Sequence, residues 1–84
     1  MEYNVISDKK NELEFELKGE DHTFSNLLVN KLLENEDVEI ANYKIPHPLV
    51  GSPIFYIRTK KESPKSVLKR SLEELKKDLK ALGR

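Results

Sequence analysis

The feature that most constrains the fold is a run of apolar residues recurring at helical spacing between Phe24 and Leu33. At about 100° per residue these side chains cover an arc of about 240°. A helix with one buried face needs only about 100°. One sheet cannot cover so wide an arc, so a second helix or a second chain must pack against this segment.

A polar segment precedes this helix and supplies its start. Asp21 is the expected N-cap, since its carboxylate can accept the backbone N–H of Thr23 or Phe24. Thr23 as the cap residue is the alternative. We expect His22 to hydrogen-bond a neighbouring segment and the helix to run to about Asn35.

Four segments have the composition and alternation of strands. Residues 12–18 alternate apolar and charged side chains without interruption, which predicts a strand with one buried face. Residues 2–7, 38–45 and 54–59 are the other predicted strands. Within residues 38–45 the apolar positions change face near Ala41, which indicates a bulge or burial on both sides.

The C-terminal part of the chain predicts a second helix. Ser63 is the expected N-cap and Pro64 the first helical residue. A narrow seam follows, made of leucines spaced four, three, four and three residues apart: Leu68, Leu72, Leu75, Leu79 and Leu82. The chain is therefore predicted to form one domain, residues 1–84. Its class is α+β, with the order β-β-α-β-β-α and a four-stranded, mostly antiparallel sheet carrying two helices on one face.

The charges balance overall but not along the chain. Residues 1–59 hold 11 acidic and 6 basic side chains, whereas residues 60–84 hold 4 and 9. A solvated helix face explains this distribution, and contact with an acidic partner or a nucleic acid is the alternative. The chain has no cysteine and no apolar run long enough to span a membrane. Both observations favour a cytoplasmic protein.

Catalytic or metal chemistry finds little support. His22 and His47 stand in different segments, and with Asp21 they lack the spacing of a metal site. Ser25 or Thr23 as a nucleophile with His22 as its base is also disfavoured, because one helical turn does not point these side chains at each other. We expect no catalytic residue, no metal and no cofactor.

Two motifs carry a resemblance to a known family. The first is Gly19-Glu20-Asp21-His22-Thr23-Phe24-Ser25-Asn26-Leu27-Leu28, and the second is Ala41-x-Tyr43-x-Ile45-Pro46-His47-Pro48-Leu49. Together they resemble the small alpha-like subunits of archaeal RNA polymerase, the subunit L family. Length and element order agree from end to end. Relatives of that family are the small alpha-like subunit of eukaryotic polymerase II and the dimerisation part of the bacterial alpha subunit.

The resemblance implies an assembly role without catalysis. Members of the family pair with the larger alpha-like subunit of the polymerase, which is designated D. The heterodimer is the platform for the large catalytic subunits and for the small subunits designated N and P. Combined with the wide apolar arc and the leucine seam, the resemblance predicts that both helices meet their counterparts in the larger alpha-like subunit in a four-helix arrangement.

Two sets of contact residues are predicted on this basis. The predicted interface residues are Phe24, Leu27, Leu28, Leu32, Leu33, Leu68, Leu72, Leu75 and Leu79. A second predicted docking surface, on the larger alpha-like subunit or a large catalytic subunit, comprises Asp21, His22, Thr23, His47, Pro48 and Leu49.

Three alternatives remain open at this point. The chain could be an autonomous nucleic-acid-binding module, which predicts salt-sensitive binding by the isolated protein. It could be a small metal or acid-base enzyme, which predicts a concave site joining His22 and His47. A homodimer through the same helices is possible when the partner is missing.

Overall fold

The computed structural model describes residues 2–46 and 52–81, and the predicted order of elements is confirmed. The elements are β1 (Glu2–Asp8), β2 (Glu12–Lys18), α1 (His22–Leu33), β3 (Val38–Lys44), β4 (Ile54–Thr59) and α2 (Pro64–Ala81). In this part of the chain the strands form one antiparallel sheet in the order β1-β2-β4-β3. Both helices pack on the same face of that sheet, around one core.

The alternation in β2 explains how the core begins. Leu13, Phe15 and Leu17 all point to the helix side and are buried. The Phe15 ring stacks on the Phe55 ring of β4, with centroids 5.1 Å apart and planes 5° from parallel. Burial of each large apolar side chain stabilises the fold by about 1.5–3 kcal/mol. The helices complete this core with Leu28, Leu32, Val67, Leu68 and Leu75.

The change of face predicted near Ala41 is a β-bulge two residues earlier, at Glu39. The register with β4 shifts between Val38 and Ile40, so that Glu39 is the extra residue. Val38 is buried, whereas Ile40 lies on the outer face of the sheet and is 38% exposed. Ala41 then returns to the helix side and packs against the core.

The turn before β3 is tied to the turn before α2 by one carboxylate. Asp37 accepts the backbone N–H of Glu62 at 2.7 Å and that of Lys61 at 3.1 Å. These hydrogen bonds hold the pKa of the Asp37 carboxyl below its ordinary value, and the one from Glu62 has the largest effect. The two turns that lead into β3 and α2 are therefore fixed relative to each other.

One buried polar atom in the described residues lacks a partner. Ser25 lies in the first turns of α1, is fully buried, and its Oγ forms no hydrogen bond with any described group. A hydroxyl buried without a partner costs about 1–3 kcal/mol. The position faces the core, where an apolar side chain would carry no such cost.

We expect Ser25→Ala to stabilise the protein. Removing the hydroxyl ends its desolvation cost, and alanine is also the better helix former. Urea unfolding should show a gain of about 1 kcal/mol beyond that of Ser66→Ala. Ser66 is a matched control because it lies in the first turn of α2 and is exposed. A loss of stability in Ser25→Ala would mean that the hydroxyl has a hydrogen-bond partner.

We also expect Asp37→Asn to destabilise the protein in a pH-dependent way. A carboxyl whose pKa is lowered on folding contributes stability above its unfolded pKa, and that contribution is lost as the pH falls through the folded value. The stability gap between wild type and variant should therefore be full at pH 7 and narrow as the pH falls below about 3.9. Urea unfolding across that range measures it, with exposed Glu36→Gln as the control. A gap that does not change with pH would contradict this account.

Candidate partner interface

A shallow depression lies between α1 and the C-terminal half of α2. Its volume is about 330 Å³, and Leu27, which is 39% exposed, lies in it together with Leu75 and the half-buried Leu79. A second hollow of about 220 Å³ adjoins it at the N-terminus of α1 and includes Phe24. Thr23, Leu27 and Leu79 line both. We call the two hollows together the helix depression.

An ion pair borders the helix depression and joins the two helices. The Lys31 Nζ lies 2.7 Å from Asp78 of α2 and 3.6 Å from Glu34. The Lys31 side chain is largely buried, at 14% exposure. Its hydrogen bond to Asp78 raises the pKa of the Lys31 ammonium, which therefore stays charged at neutral pH. The depression thus has an apolar centre and a charged border.

The structure separates the nine predicted interface residues into two groups. Leu28, Leu32, Leu68 and Leu75 are buried in the core of this chain. Part of the wide apolar arc is therefore covered by the chain's own second helix. The other five are partly buried or exposed: Phe24, Leu27, Leu33, Leu72 and Leu79.

Those five residues do not share one surface. Phe24, Leu27 and Leu79 line the helix depression. Leu33 is 50% exposed but lies about 120° around α1 from Leu27, outside the depression. Leu72 lies on the other flank of α2, next to β1.

The polar start of α1 is arranged largely as its sequence predicts. Asp21 is the N-cap, and its carboxylate accepts the Phe24 N–H at 2.9 Å, so the alternative of Thr23 as cap is wrong. His22 contacts a neighbouring segment as the sequence predicts, since its Nδ1 lies 2.9 Å from the Tyr43 hydroxyl of β3. The predicted docking residues His47, Pro48 and Leu49 lie outside the described residues.

Sequence reasoning did not include Tyr43 and Asn26 among the site residues. The Tyr43 hydroxyl donates to Asn26 Oδ1 at 3.2 Å and also meets His22, so it connects β3 to the first turns of α1. Both residues stand inside the two motifs, Asn26 in the first and Tyr43 in the second. Their positions within the two motifs are the one sequence feature that could have identified them as site residues.

The described residues offer little for catalysis. Among residues 2–46 and 52–81, no three His, Asp or Glu side chains come together as metal ligands. Ser25 is buried in the core, out of reach of a substrate. The same residues contain no helix that is both long and apolar enough to cross a membrane. What the surface does offer is apolar side chains bordered by charges, as at a protein interface.

Comparison with known proteins assigns the family. The model described as the RNA polymerase Rpb3/Rpb11 dimerisation domain matches residues 12–84. The DNA-directed RNA polymerase subunit Rpo11 of Archaeoglobus fulgidus is 43% identical over 75 residues, covering 89% of this chain and 87% of the relative. Its counterpart from Methanothermobacter thermautotrophicus is 49% identical over 72 residues, covering 86% and 82%.

A solved structure agrees with this assignment. The crystal structure of DNA-directed RNA polymerase subunit L from Thermoplasma acidophilum superposes with a TM-score of 0.85 at 35% identity. The match covers 98% of this chain and 81% of that one. The resemblance carried by the two sequence motifs is thereby confirmed. The chain belongs to the RNA polymerase Rpb3/Rpb11 dimerisation domain family.

Proposed function

We propose that the chain is a non-catalytic assembly subunit of a cytoplasmic DNA-directed RNA polymerase. It pairs with the larger alpha-like subunit, and the heterodimer carries the large catalytic subunits and the small subunits designated N and P. Nucleotide chemistry belongs to the large subunits, and DNA is contacted only through the complex. The observation that carries this proposal is the family match, together with the exposed apolar side chain of Leu27 on the helix layer.

The helix depression is the place where the larger alpha-like subunit would pack. Leu27 and Leu79 present apolar surface beside a helix–helix contact, and a leucine or phenylalanine of a partner helix can fill the space between them. Each large side chain buried there contributes about 1.5–3 kcal/mol before the costs of association. Lys31, Glu34 and Asp78 form the polar border that orients the partner.

The remaining predicted interface residues take different parts in this proposal. Leu28, Leu32, Leu68 and Leu75 hold α1 and α2 against the sheet and so set the shape that the partner meets. Leu33 and Leu72 lie on the outer flanks of the two helices. They can contact the larger alpha-like subunit only if its helices extend beyond the depression.

The start of α1 supports a second contact. His22, Asn26 and Tyr43 form an exposed hydrogen-bonded group whose geometry is tied to both the sheet and the helix. Such a preorganised polar group suits recognition of a partner, since little side-chain entropy is lost on binding. We assign docking on the larger alpha-like subunit or a large catalytic subunit to Asp21, His22, Thr23, His47, Pro48 and Leu49.

Replacing Leu27 tests the helix interface. In co-expression with the larger alpha-like subunit, Leu27→Glu should raise the dissociation constant by about tenfold or more, because burying one leucine is worth at least that much. Ile40→Glu is the matched control, since Ile40 is 38% exposed but lies on the opposite face of the sheet. Leu28 and Leu32 are unsuitable because a charge there would disrupt the core.

The affinities of the two variants show whether the chain dimerises through the helix layer. Equal affinity of both variants and the wild type would reject dimerisation through the helix layer. Circular dichroism verifies that each variant is folded. Sedimentation of the isolated chain shows whether a homodimer uses the same surface.

A double substitution tests the docking residues. His22→Ala with His47→Ala should lower the yield of reconstituted polymerase, because the contact of His22 with Tyr43 is lost together with both imidazoles. Tyr43→Phe, which removes only the hydroxyl, separates the hydrogen bond from the ring. Unchanged reconstitution of the double variant would reject this surface.

A further inference from the structure

A second apolar surface lies on the other flank of α2, where the helix side of β1 is uncovered. Tyr3 and Val5 pair with Leu17 and Phe15 of β2 and point to the same face of the sheet. Yet Leu17 and Phe15 are buried, whereas Tyr3 is 60% and Val5 39% exposed. Two large side chains therefore stand on the core side of the sheet without a cover from the described residues.

The positions of the two helices explain this gap. The axes of packed helices lie about 8–10 Å apart, which is about two strand spacings of 4.8 Å. Here α1 packs on β3 and α2 packs on β4 and β2, which leaves the edge strand β1. A third helix at the usual distance from α2 would lie over β1.

The uncovered strip forms a groove of about 460 Å³ between β1 and α2. Its floor and walls are apolar, and the Tyr3 ring packs edge-on against Phe15 with centroids 6.4 Å apart. Lysines of α2 form the rim along one side. The groove is lined by Tyr3, Val5, Leu13, Leu17, Lys65, Leu68, Lys69, Leu72 and Lys76.

The charge of this rim specifies the chemistry of an occupant. Lys65 pairs with Asp8 at 2.6 Å. Within residues 2–46 and 52–81, Lys69 and Lys76 form no ion pair, so two positive charges border the apolar floor. Lys69 and Lys76 are seven residues apart on α2, which places them about 10.5 Å apart along the helix. A complementary partner carries two carboxylates at about that separation.

We propose that this groove binds an acidic amphipathic helix of another polymerase subunit. The helix lies alongside α2 and over β1, with apolar side chains on Tyr3, Val5 and Leu72 and with carboxylates on Lys69 and Lys76. The site is separate from the helix depression, because it lies on the opposite flank of α2. The inference rests on the proposed function, since the occupant is another chain of the polymerase.

A helix fits this groove better than a strand or a nucleic acid. A strand added to β1 would pair with its outer backbone edge and leave the groove unfilled. A phosphate backbone could pair with the lysines but would leave the apolar floor in water. An amphipathic helix with acidic residues on one side satisfies both the floor and the rim.

The first experiment measures whether the groove is covered in the complex. The chain has no cysteine, so Val5→Cys introduces a single thiol in the groove. Its reaction with a maleimide should slow by about tenfold or more on assembly into the polymerase. Ile6→Cys is the matched control, since Ile6 is the exposed neighbour at the β1 bulge and does not line the groove. Equal labelling of free and assembled Val5→Cys would overturn the proposal.

The second experiment tests the charge of the occupant. Lys69→Glu should restore labelling of Val5→Cys in the complex to near its free rate, because it places a like charge opposite the partner's carboxylates. Lys77→Glu, an equal change on the same helix but off the rim, should leave the protection intact. An equal effect of both substitutions would overturn the assignment of an acidic partner.

Carbodiimide cross-linking identifies the occupant, because it joins an amine directly to a carboxylate in contact with it. Peptide mapping should link Lys69 and Lys76 to acidic residues about two helical turns apart in one segment of another subunit. Protection without such links, links to a second copy of this chain, or protection by nucleic acid would each overturn the proposal. Failure of the chain to enter a polymerase at all would refute the proposed function, and this inference with it.

Discussion

The two helices of this domain pack over three of the four strands, and the open apolar surfaces follow from that placement. The helices bury β2, β4 and the inner side of β3. They leave the inner side of β1 exposed to solvent. They also leave the helix depression open on the outer side of the contact between α1 and α2. A domain of this size gains limited stability from its core, so surfaces completed by neighbouring chains are a natural solution.

The helix α2 connects the core to both open surfaces. Its leucines point in different directions around the helix axis. Leu68 and Leu75 face the sheet, Leu72 lines the groove between β1 and α2, and Leu79 lines the helix depression. The charged side chains of the same helix border those surfaces. One amphipathic helix therefore holds the domain together and leaves apolar surface open on each of its flanks.

Polar contacts at the ends of the elements fix the geometry of these surfaces. Asp37 joins two turns, Lys31 and Asp78 join the helices, and Tyr43 joins β3 to the start of α1. None of them lies in the apolar core, so they set angles and spacing and add to the stability that the core supplies. That division suits a subunit of a larger assembly.

The order of the elements, their approximate ends, the N-cap at Asp21 and the family resemblance were all predictable from the sequence, as was an irregularity in β3 whose kind and position stayed open. Alternation, helical periodicity and capping are local properties, and they can be read over a few residues. Alternation also predicted the buried side of β2, but only the folded structure shows which apolar residues of the two helices face the core. Leu27 and Leu28 are adjacent and identical in type, yet one is exposed and the other fully buried. Their difference depends on where α2 lies, which no local pattern encodes. The same holds for Tyr3 and Val5, which lie on the helix side of the sheet in a strand that neither helix covers.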